Sequence, residues 1–90
     1  MTQTAAEDFD EFPPENDFVT DYDRRHLKLY ARLLDAETDG APLVEIARIL
    51  FGIDAGREPE RARKIHEGHL GRARWMAENG YRSLLAQNAT

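Results

Sequence analysis

The chain has no cysteine, which excludes disulfide staples, thiolate zinc sites and a cysteine nucleophile. Serine occurs once, as Ser83, with no histidine near it in sequence, so a serine–histidine–acid nucleophile has no support. No apolar run approaches the ~18 residues that a membrane span needs. The start carries neither a basic cluster nor an apolar stretch, which argues against a secretory leader and makes a reducing cytoplasm the expected compartment. No segment shows the alternation of a strand, and 90 residues leave no room for a nucleotide-binding parallel sheet with crossover helices.

The most informative deficit is one of charge. Residues 1–23 hold eight acids and no lysine or arginine, which leaves nine acids against twelve bases over residues 24–90. An acidic segment is therefore joined to a mildly basic body, and the net charge of −5 conceals that division. Residues 1–19 also contain Pro13–Pro14 and almost no aliphatic side chains, so they are expected to form a disordered acidic tail. Phe9, Phe12 and Phe18 interrupt the acids, a pattern found in segments that order against a basic, apolar partner surface.

The body, residues 20–87, reads as helical, and 88–90 as a flexible end. Thr20 is a suitable N-cap, with Asp21 and Asp23 placed on the positive end of the helix that follows. Tyr22, His26, Leu29, Tyr30 and Leu33 share one arc, which predicts a single amphipathic helix to about Glu37 that Asp39–Gly40 ends. Pro42 opens a short second helix with Leu43, Ile46, Ala47 and Leu50 inward, closed by Phe51–Gly52. After a loop over 52–57, a third helix opens near Glu58–Pro59 and runs to Asn79, with Ala62, Ile65, His69, Ala73 and Met76 as its buried stripe. A last turn, Tyr81–Leu85, is expected to pack back. The fold class is a small all-α domain of three to four helices with a helix-turn-helix-like pair.

In such a pair the second helix meets DNA with its N-terminal residues. Here these are Arg57, Arg61, Arg63 and Lys64, diluted by Glu58, Glu60 and Glu67, while Arg72 and Arg74 extend the basic character. A DNA-binding face and a solvated face of alternating charge both fit this pattern. The acidic tail would compete with phosphate for the cations, and the net charge of −5 disfavours non-specific association with DNA, so DNA binding is expected to be weak or absent. Trp75 falls far from the centre of the buried stripe and shares its face with Arg61, Lys64, Gly68 and Gly71. Tryptophan beside cations and open glycine backbone suits a protein interface, with Phe9, Phe12 and Phe18 as a second contact. Cover by the tail or by Tyr81–Leu85 is the competing account of Trp75. His66 and His69 stand at i, i+3, not at the i, i+4 spacing of a helical zinc pair, so ordinary packing is expected of them. No catalytic, cofactor, metal or small-molecule site emerges.

The stretch Gly40-Ala-Pro-Leu-Val-Glu-Ile-Ala-Arg-Ile-Leu-Phe-Gly52 and the ending Gly71-Arg-Ala-Arg-Trp-Met-Ala-Glu-Asn-Gly-Tyr-Arg-Ser-Leu-Leu85 resemble a proteobacterial domain family related to helix-turn-helix proteins. Its members include activators of integrative and conjugative elements and small QseM-like antiactivators. The resemblance implies an antiactivator that binds transcriptional activators, namely a quorum-sensing regulator of the TraR type and the excision activator FseA. Such binding would repress excision and conjugative transfer. The activator members carry a further N-terminal domain, which sets this chain apart from them. The alternative reading is a helix-turn-helix DNA-binding regulator autoinhibited by its acidic tail.

Overall fold

The computed structural model describes residues 9–80. Residues 1–8 and the expected last turn over Tyr81–Leu85 lie outside the described residues, as does the chain end over 88–90. Four helices follow in order, with no strand among the described residues: α1 Asp21–Arg25, α2 Leu27–Asp39, α3 Leu43–Ile46 and α4 Pro59–Trp75. Helix α3 continues as a π-helical turn over Ala47–Phe51, and α4 as another over Met76–Gly80.

Thr20 caps α1 as its sequence suggests. Its hydroxyl accepts from the Asp23 amide, and the Asp23 carboxylate accepts from the Thr20 amide at 2.9 Å. The single first helix expected to Glu37 is instead broken at His26, whose φ of −117° and ψ of 22° are not helical. The cause is side-chain competition for a backbone acceptor. The His26 Nδ1–H donates to the Tyr22 carbonyl at 2.8 Å, the imidazole stacks on the Tyr22 ring at 4.0 Å, and the His26 amide turns to the Asp23 carbonyl at 3.1 Å. Asp39–Gly40 stops α2 as expected. Gly40 takes φ of 72°, and the amides of Gly40 and Ala41 close on the Glu37 and Ala36 carbonyls. Pro42 serves as the cap of α3 and not its first helical residue.

The core follows the periodicity closely. Leu29 and Leu33 of α2 meet Ile46, Ala47, Leu50 and Phe51 of the α3 limb and Ala62, Ile65 and Leu70 of α4, all buried. Ile53 and Ala55 of the 52–57 segment join them, though that segment reads as a plain loop. A second cluster gathers Val19, Tyr30, Ala73 and Met76, with Leu34 and Trp75 at its edge.

Residues 9–19 contain no helix or strand, and several of their side chains and backbone groups lie against the body. Phe9 packs edge-on to Phe51 with ring centroids 5.0 Å apart, Val19 is buried, and the Asp10 amide donates to the Tyr22 hydroxyl at 3.0 Å. One expectation is corrected here: Arg72, expected to extend the basic character of α4, is buried, and so is Asp23 in the first turn of α1. The two charges neutralise each other. Arg72 Nε and Nη2 donate to Asp23 Oδ1 and Oδ2 at 3.0 and 2.7 Å, a bidentate pair across 49 residues. The Tyr30 hydroxyl adds a bond to Asp23 Oδ1 at 2.7 Å. Arg72 spends its remaining donors on the backbone of the N-terminal segment, reaching the Asn16 carbonyl at 2.6 Å and the Phe18 carbonyl at 2.9 Å. One buried guanidinium thereby ties α4 to α1 and to the segment that precedes it.

Candidate nucleic-acid interface

The α3 limb, the 52–58 connection and α4 form the helix pair, and the exposed N-terminal half of α4 carries the cations that sequence reasoning selected. Pro59 stands at the first helical position, where its missing amide hydrogen costs nothing. Gly52 closes the preceding limb with φ of 66° and turns the chain toward α4. The buried stripe Ala62–Ile65–His69 fixes the rotation of α4, so Arg61, Arg63 and Lys64 face outward, and Arg57 is exposed in the turn just before the helix.

Their electrostatic states differ. Arg57 and Lys64 have no side-chain partner among the described residues. Arg63 is paired with Glu60 one turn before it. Arg61 donates from Nε to Glu11 at 2.9 Å and reaches Glu58 at 3.4 Å. The Glu11 bond raises the Arg61 pKa further above its ordinary value. The face thus sets Glu11, Glu58, Glu60 and Glu67 against its four cations. The exposed Arg61–Glu11 pair adds little stability, so a phosphate can compete for Arg61. Arg74 is paired with Glu37 of α2, and Arg72 is internal; neither extends the basic face.

The second proposed face, Arg61–Lys64–Gly68–Gly71–Trp75, is half covered by the chain itself. A Cβ on Gly68 would stand 3.3 Å from Pro13 Cδ, so the glycine admits the segment's proline. Gly71 meets nothing within 4 Å of a built Cβ and stays open. Trp75 is half-buried, with the Arg72 guanidinium 4.1 Å from its ring centroid. It lines a groove with Gly68, Gly71 and the stretch from Phe12 to Asp17. Of the three phenylalanines, Phe9 is packed inward, whereas Phe12 and Phe18 are 69 % and 57 % exposed. Trp75→Ala is expected to lower unfolding free energy by about 1–2 kcal/mol through loss of the stack and of its contact with the Val19 cluster. Helical circular dichroism should persist, and urea denaturation measures the difference.

Below this face runs a relay that sequence reasoning missed. His69 is fully buried, and its Nδ1–H donates to the Ile65 carbonyl at 2.9 Å. That leaves Nε2 as the acceptor for the Tyr22 hydroxyl at 2.7 Å, and the same hydroxyl oxygen accepts the Asp10 amide. Burial keeps the His69 pKa below its ordinary value and raises that of Tyr22. Both nitrogens of His69 are therefore occupied by hydrogen bonds. His66 is half-buried, its Nε2 unpartnered, and burial lowers its pKa. No cluster of three or more His, Cys, Asp or Glu residues suited to a metal occurs among the described residues. No helix among them is long and apolar enough to cross a membrane.

A short helix limb, a tight connection and a longer helix with an outward cationic start form a helix-turn-helix-like pair in a small all-α domain. The family model of the RovC DNA-binding domain, described as a T6SS transcription factor DNA-binding domain, matches residues 3–86, and the chain belongs to that family. The match supports a family of DNA-binding regulators and does not show the antiactivator role that the motifs' resemblance implies. No curated protein matches the chain.

Proposed function

We propose that this protein is a DNA-binding transcriptional regulator that meets the duplex with the N-terminal half of α4 and is restrained by its own acidic segment. The observation that carries this reading is the 2.9 Å bond from Arg61 to Glu11, made across 50 residues on a helix of a DNA-binding family. Arg57, Arg63 and Lys64 are the other contacts assigned to phosphate and base edges. Glu11 acts as a tethered phosphate mimic: it holds one cation and repels the DNA backbone nearby.

Glu11→Gln in the full chain tests this. Fluorescence anisotropy on a duplex selected from a randomised library should show affinity rising several-fold. The dependence of log affinity on log salt should steepen by about 0.9, the signature of one more neutralised phosphate. Adding Arg61→Ala should abolish that gain. Equal affinity and equal salt slope for Glu11→Gln and the parent would overturn the restraint. Absence of binding by both proteins at low salt would overturn the DNA reading itself.

One observation favours a second reading, that of an antiactivator acting on TraR-type or FseA-type activators. Phe12 stands exposed beside the open backbone of Gly71 and the half-buried Trp75, and Phe18 is exposed on the same N-terminal segment, a composition suited to a protein partner. Titration calorimetry with such purified activators decides it. Heat that disappears in Phe12→Ser with Phe18→Ser supports it, and no heat from the parent protein removes it.

A further inference from the structure

The C-terminal half of α2 and the α3 limb enclose a groove that the DNA-binding reading does not use. Its volume is about 430 Å³, and Ala36, Ala41, Ile46, Ile49 and Leu50 supply an apolar floor. Ile49 is 44 % exposed, a large aliphatic side chain left open on a folded surface. The rim is acidic, formed by Asp35 and Asp39 of α2 and Glu45 of α3, with Arg32 one turn before Asp35.

The rim is placed against local helix electrostatics. Helix α2 ends with Asp35, Glu37 and Asp39 and has no base in its last turn, although the C-terminal end of a helix is its negative pole. Arg74 answers Glu37. Asp35 and Asp39 have no side-chain partner among the described residues. Acids held where the backbone disfavours them, around an apolar floor from which Ile49 stands exposed, suit a positively charged occupant.

We infer that this groove docks a basic amphipathic helix of a partner protein, with an apolar ridge seated on Ile49 and Leu50 and flanking lysines or arginines against Asp35, Asp39 and Glu45. A helix in a groove places anchors at i, i+3 or i+4, and i+7, which gives the occupant its pattern. The docking does not depend on DNA binding. It offers a regulator a second contact on a surface that shares no residue with the α4 face.

Two synthetic helices with the same leucine ridge, one flanked by lysine and the other by glutamate, are the probes, and amide NMR of the full chain is the readout. The lysine-flanked helix should give saturable shifts confined to residues 32–50, and the glutamate-flanked helix none. Asp35→Lys with Asp39→Lys should weaken binding about tenfold or more, and Ile49→Glu by a similar factor. DNA affinity should stay as in the parent, so failure here and failure of the regulator reading are separable. Asp35→Asn with Asp39→Asn retains a readout if charge reversal disturbs the fold. Shifts elsewhere, or equal binding of both helices, would overturn the inference. So would sedimentation in which Ile49→Glu converts a dimer to a monomer, since a second copy would then be the occupant.

Discussion

Replacing Arg72 with leucine, or Asp23 with alanine, is expected to cost about 3–5 kcal/mol, because either change strands the other charge in the interior. Asp23 and Arg72 are 0 % and 6 % exposed, and neither can reach water without opening the fold. The loss should exceed that of any single cation on the α4 face. A domain this small has a total stability on the order of 5 kcal/mol, so both variants should be largely unfolded at physiological temperature. Arg72 has further work, since its donors also hold the Asn16 and Phe18 carbonyls. Arg72→Lys keeps the charge but loses the planar fork, and should recover only part of the stability. The double variant Asp23→Leu with Arg72→Leu should be more stable than either single change, because no charge is then orphaned. Thermal unfolding by circular dichroism gives all four values. Near-parental melting of both single variants would show that the pair is not buried as described.

Acidification is the second large effect, and its direction follows from two groups. Burial alone would raise the Asp23 pKa, but bonds from Arg72, the Thr20 backbone and Tyr30 outweigh burial and bring it from 3.8 to about 2. The folded state therefore holds this carboxylate ionised more strongly than the unfolded chain does. Its contribution is complete above pH 4, falls as pH drops through the window from about 4 to 2, and is gone below that window. The difference corresponds to roughly 2 kcal/mol. His69 acts higher on the pH scale but in the same sense. Burial lowers its pKa from 6.5, so unfolding takes up a proton below pH 6.5 and stability declines as pH falls from there. Half-buried His66 adds to this upper step. Urea midpoints between pH 8 and pH 2 should therefore fall in two stages. Replacing His69 with glutamine should remove most of the upper stage and leave the lower one. A flat profile from pH 7 to pH 3 would contradict both assignments.

The division between local pattern and tertiary outcome is clear at particular residues. The stripe Ala62–Ile65–His69–Ala73–Met76 of α4 and its continuation, and the α2 arc Leu29–Tyr30–Leu33, were legible because a 100° step determines which side chains can meet a core. The Thr20 cap and the stops at Gly40 and Gly52 were legible because few residues satisfy those backbone positions. A further signal went unread. Arg72 stands at i+7 from Ile65, i+3 from His69 and i−4 from Met76, on the buried side of α4. Asp23 likewise stands on the arc of His26, Tyr30 and Leu33, at i−3, i−7 and i−10 from them. Two opposite charges on two apolar stripes are the mark of a buried pair, although spacing alone does not say that they meet. The outward direction of Arg57, Arg61, Arg63 and Lys64 was likewise legible from spacing.

By itself the sequence determined the helical class, the helix stops, most of the core and the cationic start of α4, all of which depend on neighbours within a few turns. Only the tertiary structure decided that Arg72 and Asp23 neutralise each other across 49 residues, that Glu11 engages Arg61, and that residues 9–19 lie on the body. Acidity and paired prolines in that segment describe a chain with too little apolar surface to fold alone. It orders here because α4 and the α3 limb supply what it lacks: a guanidinium for its carbonyls, Phe51 for Phe9, and a glycine with room for Pro13.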